Sequence, residues 1–464
     1  MNFLDDTIAA VSTAPGEGGI GIVRLSGKNA IAVIDRLFIS PLKKHLKDAR
    51  SHTIMYGIIK DPASSDRIDE VLVTVMKAPM TYTRENVVEV NCHGGTVPLR
   101  RILGLVLKEG VRLAEPGEFT RRAFLNGRID LLQAEAVIDV ITAMTDQSER
   151  IALQQLEGML SVEIKAIRDR ITELCALIEA YIDFPEEEIE IPEKAGIGTS
   201  MRAIRDRLST LILSFDEGRL FREGAAMAIV GKPNVGKSSL LNALIKKDRA
   251  IVTDMPGTTR DIIEESLNID GLPVRVMDTA GIREAHNLAE AEGVKRSLAA
   301  IEDADIVLAV FDASRPLDQA DRQVIKRVKT KKAIVVINKC DSINHDFDQG
   351  DIELNIDTAV KISALKNEGT DVLKKRIVAS LLSNNVPSQD VIPGLLITNI
   401  RHKQLLDNAS ESLEQARETL ERGEPLEVTA FSLRECLDSL GEIIGAVTTE
   451  DILDRIFSEF CIGK

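Results

Sequence analysis

The stretch Gly231-Lys232-Pro233-Asn234-Val235-Gly236-Lys237-Ser238 has the residue types and spacing to hold a polyphosphate. Glycines in such a loop let backbone N–H groups curl round phosphate oxygens, and a helix beginning at its end adds a positive dipole. Lys237 then reaches the outer phosphates and Ser238 ligates magnesium, with Val235, Gly236 and Ser239 completing the cradle. Asp278-Thr279-Ala280-Gly281 offers an acidic residue suited to controlling that magnesium, and a glycine that can flex as a γ-phosphate comes and goes. Asn338-Lys339-Cys340-Asp341 offers a base reader. The Asp341 carboxylate can accept two hydrogen bonds from the N–H groups on a guanine edge, where adenine has no such pair of donors. Ser363-Ala364-Leu365 would complete the base pocket.

These motifs need a scaffold that brings their loops to one place. Apolar runs at 226–230, 273–277, 333–337 and 359–362 read as buried strands, and 239–245 as an amphipathic helix. Each motif follows a strand. That order predicts a doubly wound P-loop GTPase domain with its ligand at the C-terminal strand ends.

The hydrolytic apparatus departs from the usual pattern. Many GTPases place a water-orienting Gln just after the Asp-x-x-Gly turn, and here Ile282 stands there. A monovalent cation is the substitute this sequence suggests. Asn234 can offer a carbonyl beside the β- and γ-phosphates, and residues 251–260 can fold over it with backbone carbonyls, hard oxygen ligands that suit potassium. Such a cation would replace an arginine finger, a role worth roughly 10³–10⁵ in rate. Thr259 is the expected second magnesium ligand.

With Gly257-Thr258-Thr259-Arg260-Asp261, the GTPase motifs are accompanied by Pro15-Gly16-Glu17-Gly18-Gly19-Ile20-Gly21-Ile22 and Cys92-His93-Gly94-Gly95. Further on stand the block from Pro116-Gly117-Glu118-Phe119-Thr120 to Asn126-Gly127 and the terminus Phe460-Cys461-Ile462-Gly463-Lys464. On these residues the chain resembles, over essentially its whole length, the MnmE (TrmE) family of tRNA-modification GTPases. The resemblance implies potassium ligation by Asn234, Thr253, Met255 and Thr258, and magnesium ligation by Ser238 and Thr259. It implies that Glu290 positions the attacking water through a bridging water. It also implies an N-terminal domain like those of folate-dependent one-carbon enzymes, binding 5-formyl- or methylene-tetrahydrofolate across a homodimer. The matching positions are Arg24, Glu89, Arg128 and Lys464. A carboxylate such as Glu89 suits the amide and amine edge of a pterin, and cations such as Arg24 and Arg128 suit a glutamyl tail. Some relatives carry Lys at the position of Arg128, which keeps charge but not geometry.

The implied activity is potassium-activated GTP hydrolysis gating formation of an aminomethyl-type group at carbon five of wobble uridine. It is carried out with a flavin-dependent partner, MnmG, in a heterotetramer. No glycine fingerprint for flavin occurs in this chain, which agrees with a partner supplying it. Two rivals are a ribosome-assembly GTPase, which predicts a basic RNA-binding appendage, and a one-carbon transferase regulated by GTP, which predicts transfer without a partner.

Composition sets the outer bounds. A chain of 464 residues forms about two to four domains. No apolar run approaches the ~18–20 residues of a membrane span, and the acidic N-terminus carries neither a secretion signal nor a transit peptide. Five cysteines without metal or disulfide spacing suit a reducing cytoplasm. The net charge of −15 argues against a broad nucleic-acid surface, so a tRNA substrate would be gripped largely by the partner. Local basic clusters are Arg121, Arg122 and Arg128, and Lys43, Lys44 and Lys47; each can be a solvated surface face, the favoured reading for the lysines.

The expected organisation is an α+β folate-binding-like domain over 1–120, a discontinuous helical domain over 121–221 and 384–464, and the GTPase domain over 222–383 inserted into it. Ile164, Ile167, Ile171, Leu174 and Ile178 mark one helix face, and Leu406, Leu413 and Leu420 a second seam. Pro185 should stop the first helix. Residues 431–460 read as amphipathic with breaks near Gly441 and Gly445. Gly94 and Gly95 give His93 either a hinge or a turn. Cys461 is either a buried structural thiol beside Phe457 and Phe460 or a chemical group at the folate site. Its place near the terminus is a poor prenylation box, because Gly463 is not aliphatic and Lys464 is a poor final residue.

Overall fold

The computed structural model describes residues 6–183, 194–248, 265–277, 299–342, 359–382 and 393–464. The chain divides into two compact units: Met1–Ile138 with Gly441–Lys464, and Asp139–Leu440.

The first unit is built on a seven-stranded sheet. Its strands are β1 (Ile8–Val11), β2 (Gly18–Ser26), β3 (Phe38–Ile39), β4 (Thr53–Lys60), β5 (Arg67–Met76), β6 (Val87–Gly94) and β7 (Arg112–Leu113), ordered β3-β4-β5-β6-β2-β1-β7. Alternation dictates its layers. Val71, Val73 and Val75 of β5 turn inward, while Leu72 between them stays exposed. The inward face packs with residues of α1 (Ala30–Leu37) and α2 (Thr96–Lys108) into one core that includes Ile34, Leu37, Val88, Val90, Ile102 and Val106. Short α3 (Glu118–Leu125) follows β7.

The chain's end belongs to this unit. The helix Glu450–Ser458 leads to a tail in which Ile462 bridges Pro116 and Phe119 N–H donates to the Lys464 carbonyl at 3.1 Å. Gly463 adopts φ +99°, and a Cβ there would stand 2.3 Å from the Val11 carbonyl. The tail is thus tied to the end of β1 and the start of α3.

Helix α4 (Leu131–Thr142) crosses the division, with its larger part in the first unit; the second unit carries α5 (Asp146–Leu156), α6 (Met159–Asp183), α7 (Lys194–Leu213) and α8 (Phe215–Glu223). A six-stranded sheet follows: β8 (Ala225–Val230), β9 (Glu265–Ile269), β10 (Leu272–Val276), β11 (Ile306–Asp312), β12 (Ala333–Asn338) and β13 (Val360–Lys361). Its order is β13-β12-β11-β8-β10-β9, parallel except for the β9–β10 hairpin. Every residue of β8 and β11 is buried, as expected of strands covered on both faces. The accompanying helices are α9 (Lys237–Asp248), α10 (Gln319–Val328) and α11 (Thr370–Leu382). This is the α/β and α architecture that the motifs predicted.

Helices α12 (Ile400–Arg422) and α13 (Leu426–Ile444) follow, ahead of the helix Glu450–Ser458 already described. The five apolar residues named on α6 are all buried, as are Leu406, Leu413 and Leu420 on α12, which packs on α7. α13 runs through Gly441, contrary to the break expected there, because glycine costs a helix only about 1 kcal/mol. It stops before Gly445, which has φ +78°. α6 ends at Asp183, and Pro185 lies outside the described residues. Among the described residues no helix is long and apolar enough to cross a membrane.

Candidate functional site

Four strand ends meet around the phosphate loop. Gly231 leaves β8 at φ +152°, where a Cβ would stand 2.4 Å from the Val310 carbonyl of β11, so only glycine fits. Gly236 has φ +98°, and a Cβ there would lie 2.2 Å from Asn338 Nδ2. Asn234, at φ +66°, occupies the left-handed region that asparagine tolerates. Val235 is buried and anchors the loop, while Ser238 and Ser239 sit exposed in the first turn of α9. Lys237 Nζ donates to the Gly231 and Lys232 carbonyls at 2.8 and 2.9 Å. Burial pushes its ammonium below the ordinary lysine range.

Asn338 is the central staple. Its side chain is 2 % exposed. Nδ2 donates to the Val235 carbonyl at 2.9 Å, and Oδ1 accepts from Ala364 N–H at 3.0 Å. One amide therefore locks the phosphate loop, the end of β12 and the loop after β13 together. Lys339, at φ +64°, donates from Nζ to the Asn234 carbonyl at 2.8 Å and to Asp312 Oδ2 at 2.6 Å. Asp341 Oδ1 accepts from Ser363 Oγ at 2.6 Å, and that bond holds its carboxyl below the usual range. Leu365 is exposed beside this pocket.

The structure thus brings together Asn234, Val235, Gly236, Lys237, Asn338, Lys339, Asp341, Ser363 and Ala364. Thr253, Met255, Thr258, Thr259, Asp278, Thr279, Ala280, Gly281 and Glu290 lie outside the described residues.

Sequence reading missed two supports of the loop. Asp312, at the end of β11, holds Lys339. Burial pushes its carboxyl up, but Lys339 and the Ser314 hydroxyl and N–H outweigh that and keep it low. The signal was present, since Asp312-Ala313-Ser314 follows an apolar run as the other motifs do. The second support is Lys232, whose Nζ reaches Asp318 and Asp321 at 2.5 and 2.6 Å. Neither partner is near it in sequence.

A second polar cluster occupies the first unit. Arg24 of β2 stands opposite Glu89 of β6 in the antiparallel register and donates from Nε and NH2 to Glu89 Oε1 at 2.9 and 2.8 Å. Ser12 Oγ donates to the Gly463 carbonyl at 3.1 Å, and Arg24 NH1 approaches it at 3.4 Å. Burial lowers the Lys464 ammonium, and the Arg24 guanidinium adds to the effect. Arg24, Glu89 and the chain's end are therefore one cluster. Arg128 stacks over the Tyr82 ring at 4.7 Å, and among the described residues no hydrogen bond or ion pair joins it to Arg24 or Glu89.

Three expectations are corrected here. Cys461 is exposed, so the buried-thiol reading fails: the Phe457 and Phe460 rings pack on each other, 5.4 Å apart, and leave the thiol outside. Gly94 is no hinge, because it is the last residue of β6 and a Cβ there would stand 2.4 Å from the Gly18 carbonyl. His93 lies on that strand, with Nδ1 2.7 Å from Asp69 Oδ1. Arg122 is not a surface cation. It is 1 % exposed among the carboxylates of Asp6, Glu85 and Glu118. Lys43, Lys44 and Lys47 are exposed, as a solvated face requires.

Two family models match this chain: the MnmE helical domain over residues 131–461, and the GTP-binding protein TrmE N-terminus over residues 7–128. The tRNA modification GTPase MnmE of Alkaliphilus metalliredigens (strain QYMF) is 47% identical over 464 residues, covering 100% of both chains. That of Acetivibrio thermocellus is 46% identical over 463 residues, with the same coverage. Among solved structures, the G domain of the T. maritima FeoB iron transporter matches 33% of this chain and 96% of its own at 25% identity, with a TM-score of 0.25.

Proposed function

The chain belongs to the MnmE family of tRNA modification GTPases and is a GTP hydrolase, and from that premise we propose that potassium-activated hydrolysis gates a folate-dependent modification of wobble uridine. The observation that carries the nucleotide half is the Asn338 staple, which sets Lys237, Lys339 and Asp341 around one loop. Lys237 neutralises the outer phosphates. Asp341, already oriented by Ser363, accepts from the guanine edge. Lys339 braces the loop from beneath through the Asn234 carbonyl.

Of the implied metal ligands, the described residues Ser238 and Asn234 carry suitable oxygen donors. Ser238 presents an exposed hydroxyl, a hard oxygen donor suited to magnesium, at the start of α9. The backbone carbonyl of Asn234 is engaged by Lys339, so potassium would be held by its side-chain amide oxygen. Thr253, Met255 and Thr258 are the remaining proposed ligands, Thr259 the second for magnesium, and Glu290 the residue that positions water. When bound, the cations stabilise charge developing on the phosphates.

In the first unit, Arg24, Glu89 and Lys464, with Arg128, are proposed to hold tetrahydrofolate across a homodimer. Glu89 spends one oxygen on Arg24, which leaves the other for a pterin edge, and the lowered Lys464 and paired Arg24 suit a carboxylate-bearing tail. The exposed Cys461 lies beside this cluster as a candidate chemical group. The flavin-dependent partner MnmG supplies redox chemistry and most of the tRNA contact. The proposed division is a folate-binding domain over 1–120, a helical domain over 121–221 and 384–464, and a GTPase domain over 222–383.

The experiment is isothermal titration of tetrahydrofolate derivatives into wild type and Glu89→Gln. Wild type binds and the variant weakens by about tenfold or more; equal binding by the two removes Glu89 from the site.

A further inference from the structure

We propose that Lys232 is a positioning residue for nucleotide binding, which holds the phosphate loop in its binding shape by anchoring it to the start of α10. This rests on the GTPase reading above.

Lys232 is the second residue of the loop, and its two ends do different work. Its backbone carbonyl accepts from Lys237 Nζ at 2.9 Å. Its side chain crosses to α10, where Nζ meets Asp318 Oδ2 at 2.5 Å and Asp321 Oδ2 at 2.6 Å. The receiving end is itself ordered. Asp318 is the N-cap of α10, and its Oδ1 accepts from the Ala320 and Asp321 N–H groups at 2.9 and 3.2 Å. Asp321 Oδ2 accepts in return from Asp318 N–H at 3.1 Å. This capping box fixes both carboxylates before any ligand is present, and the helix dipole favours their negative charge. The ammonium bridges two neighbouring carboxylates and offsets one of their two charges. Only 11 % of the Lys232 side chain and 4 % of that of Asp321 are exposed, so water screens their contact weakly, whereas Asp318 is 61 % exposed and its contact is the more screened of the two.

The anchors act on different residues of the loop. Asn338 holds Val235 and Lys339 holds the Asn234 carbonyl, in the loop's middle. Lys232 adds a tie at the loop's start, next to Gly231, which passes against Val310 of β11. A loop held at its start and its middle gives up less freedom when phosphate arrives. The gain is equal for ground state and transition state. Losing the anchor therefore raises Kd and KM and leaves kcat unchanged.

The test compares full-length wild type with Lys232→Ala, Lys232→Arg and Asp318→Asn. Isothermal titration with GDP and with a non-hydrolysable GTP analogue gives Kd, and steady-state GTP turnover gives KM and kcat. For Lys232→Ala both Kd values and KM should rise about tenfold while kcat stays within about twofold. Lys232→Arg, whose fork spans two carboxylates, should restore wild-type values. Asp318→Asn keeps its capping oxygen and hence its fold, and should give an intermediate Kd even where Lys232→Ala fails to fold. Unchanged Kd with a lowered melting temperature would reduce the contact to fold stability and overturn the proposal. A fall in kcat at unchanged Kd would overturn it too. Wild type that binds neither nucleotide would overturn the GTPase reading itself, and this inference with it.

Discussion

Asp341 is proposed to read the base with two oxygens, one of which already accepts from the Ser363 hydroxyl. Replacing it by Asn exchanges an acceptor for a donor, and the edge that then fits is that of xanthine. Asp341→Asn should lower kcat/KM for GTP on the order of a hundredfold and raise that for xanthosine triphosphate; retained GTP preference would remove Asp341 from the pocket. Gly236 tests the loop in a different way. A methyl group there would meet Asn338 Nδ2 at 2.2 Å on a backbone at φ +98°. Gly236→Ala strains the backbone by about 1–3 kcal/mol and displaces the staple. Nucleotide titration should show binding lost while the far-ultraviolet circular dichroism is kept. The base-reading and loop residues were legible in the sequence because each is a local motif at a strand end. Lys232 was not, since its work is done by partners far along the chain, Asp318 and Asp321; Asp312 carried a signal in its place after an apolar run, but its pairing with Lys339 did not show.

Helix α3 shows how burial changes the meaning of a charge. Arg121-Arg122 reads as a basic surface pair, yet Arg122 sits inside the first unit and holds Asp6, Glu85 and Glu118, while Arg112 binds Glu118 at 2.5 Å. Removing Arg122 leaves the half-buried Glu85 without its ion pair and takes from Glu118 and Asp6 one of the two guanidinium groups that hold each. Arg122→Ala should lose about 3–5 kcal/mol in urea unfolding, and a loss under about 1 kcal/mol would contradict this account. The same cluster sets an acid limit. Burial pushes Glu118 up, but bonds from Arg112 and Arg122 outweigh it, so the folded carboxyl titrates below its ordinary 4.5. Its stabilisation is complete above that value and is lost as pH falls through the lower, folded one. Glu118→Gln should flatten the fall in melting temperature between pH 4.5 and the acid end; an unchanged slope would place the titration elsewhere. Element types were largely readable from periodicity, as for β5 and α6. The break at Gly441 was misjudged because packing on both sides of a glycine outweighs its propensity.

The two compact units separate the chemistries that the account joins. The nucleotide loop lies in one, and Arg24, Glu89 and Lys464 lie in the other. The tail's place in the first unit was not legible, because it depends on Gly463 passing against Val11 and on Phe119 receiving the chain's end, contacts between the two ends of the sequence. Cation dependence tests the hydrolytic half. GTP turnover should be on the order of 10³ higher in potassium than in sodium, by analogy with an arginine finger. Asn234→Ala should abolish the difference, and equal wild-type rates in the two salts would end the potassium reading.

The central claim is that GTP hydrolysis by this chain drives wobble-uridine modification. The most direct measurement is nucleoside mass spectrometry of total tRNA from a strain lacking the gene, complemented with wild type, Lys237→Ala or Cys461→Ser. The account predicts that carbon-five aminomethyl uridines vanish on deletion, return with wild type, and do not return with Lys237→Ala or Cys461→Ser. An unchanged nucleoside profile on deletion would contradict it.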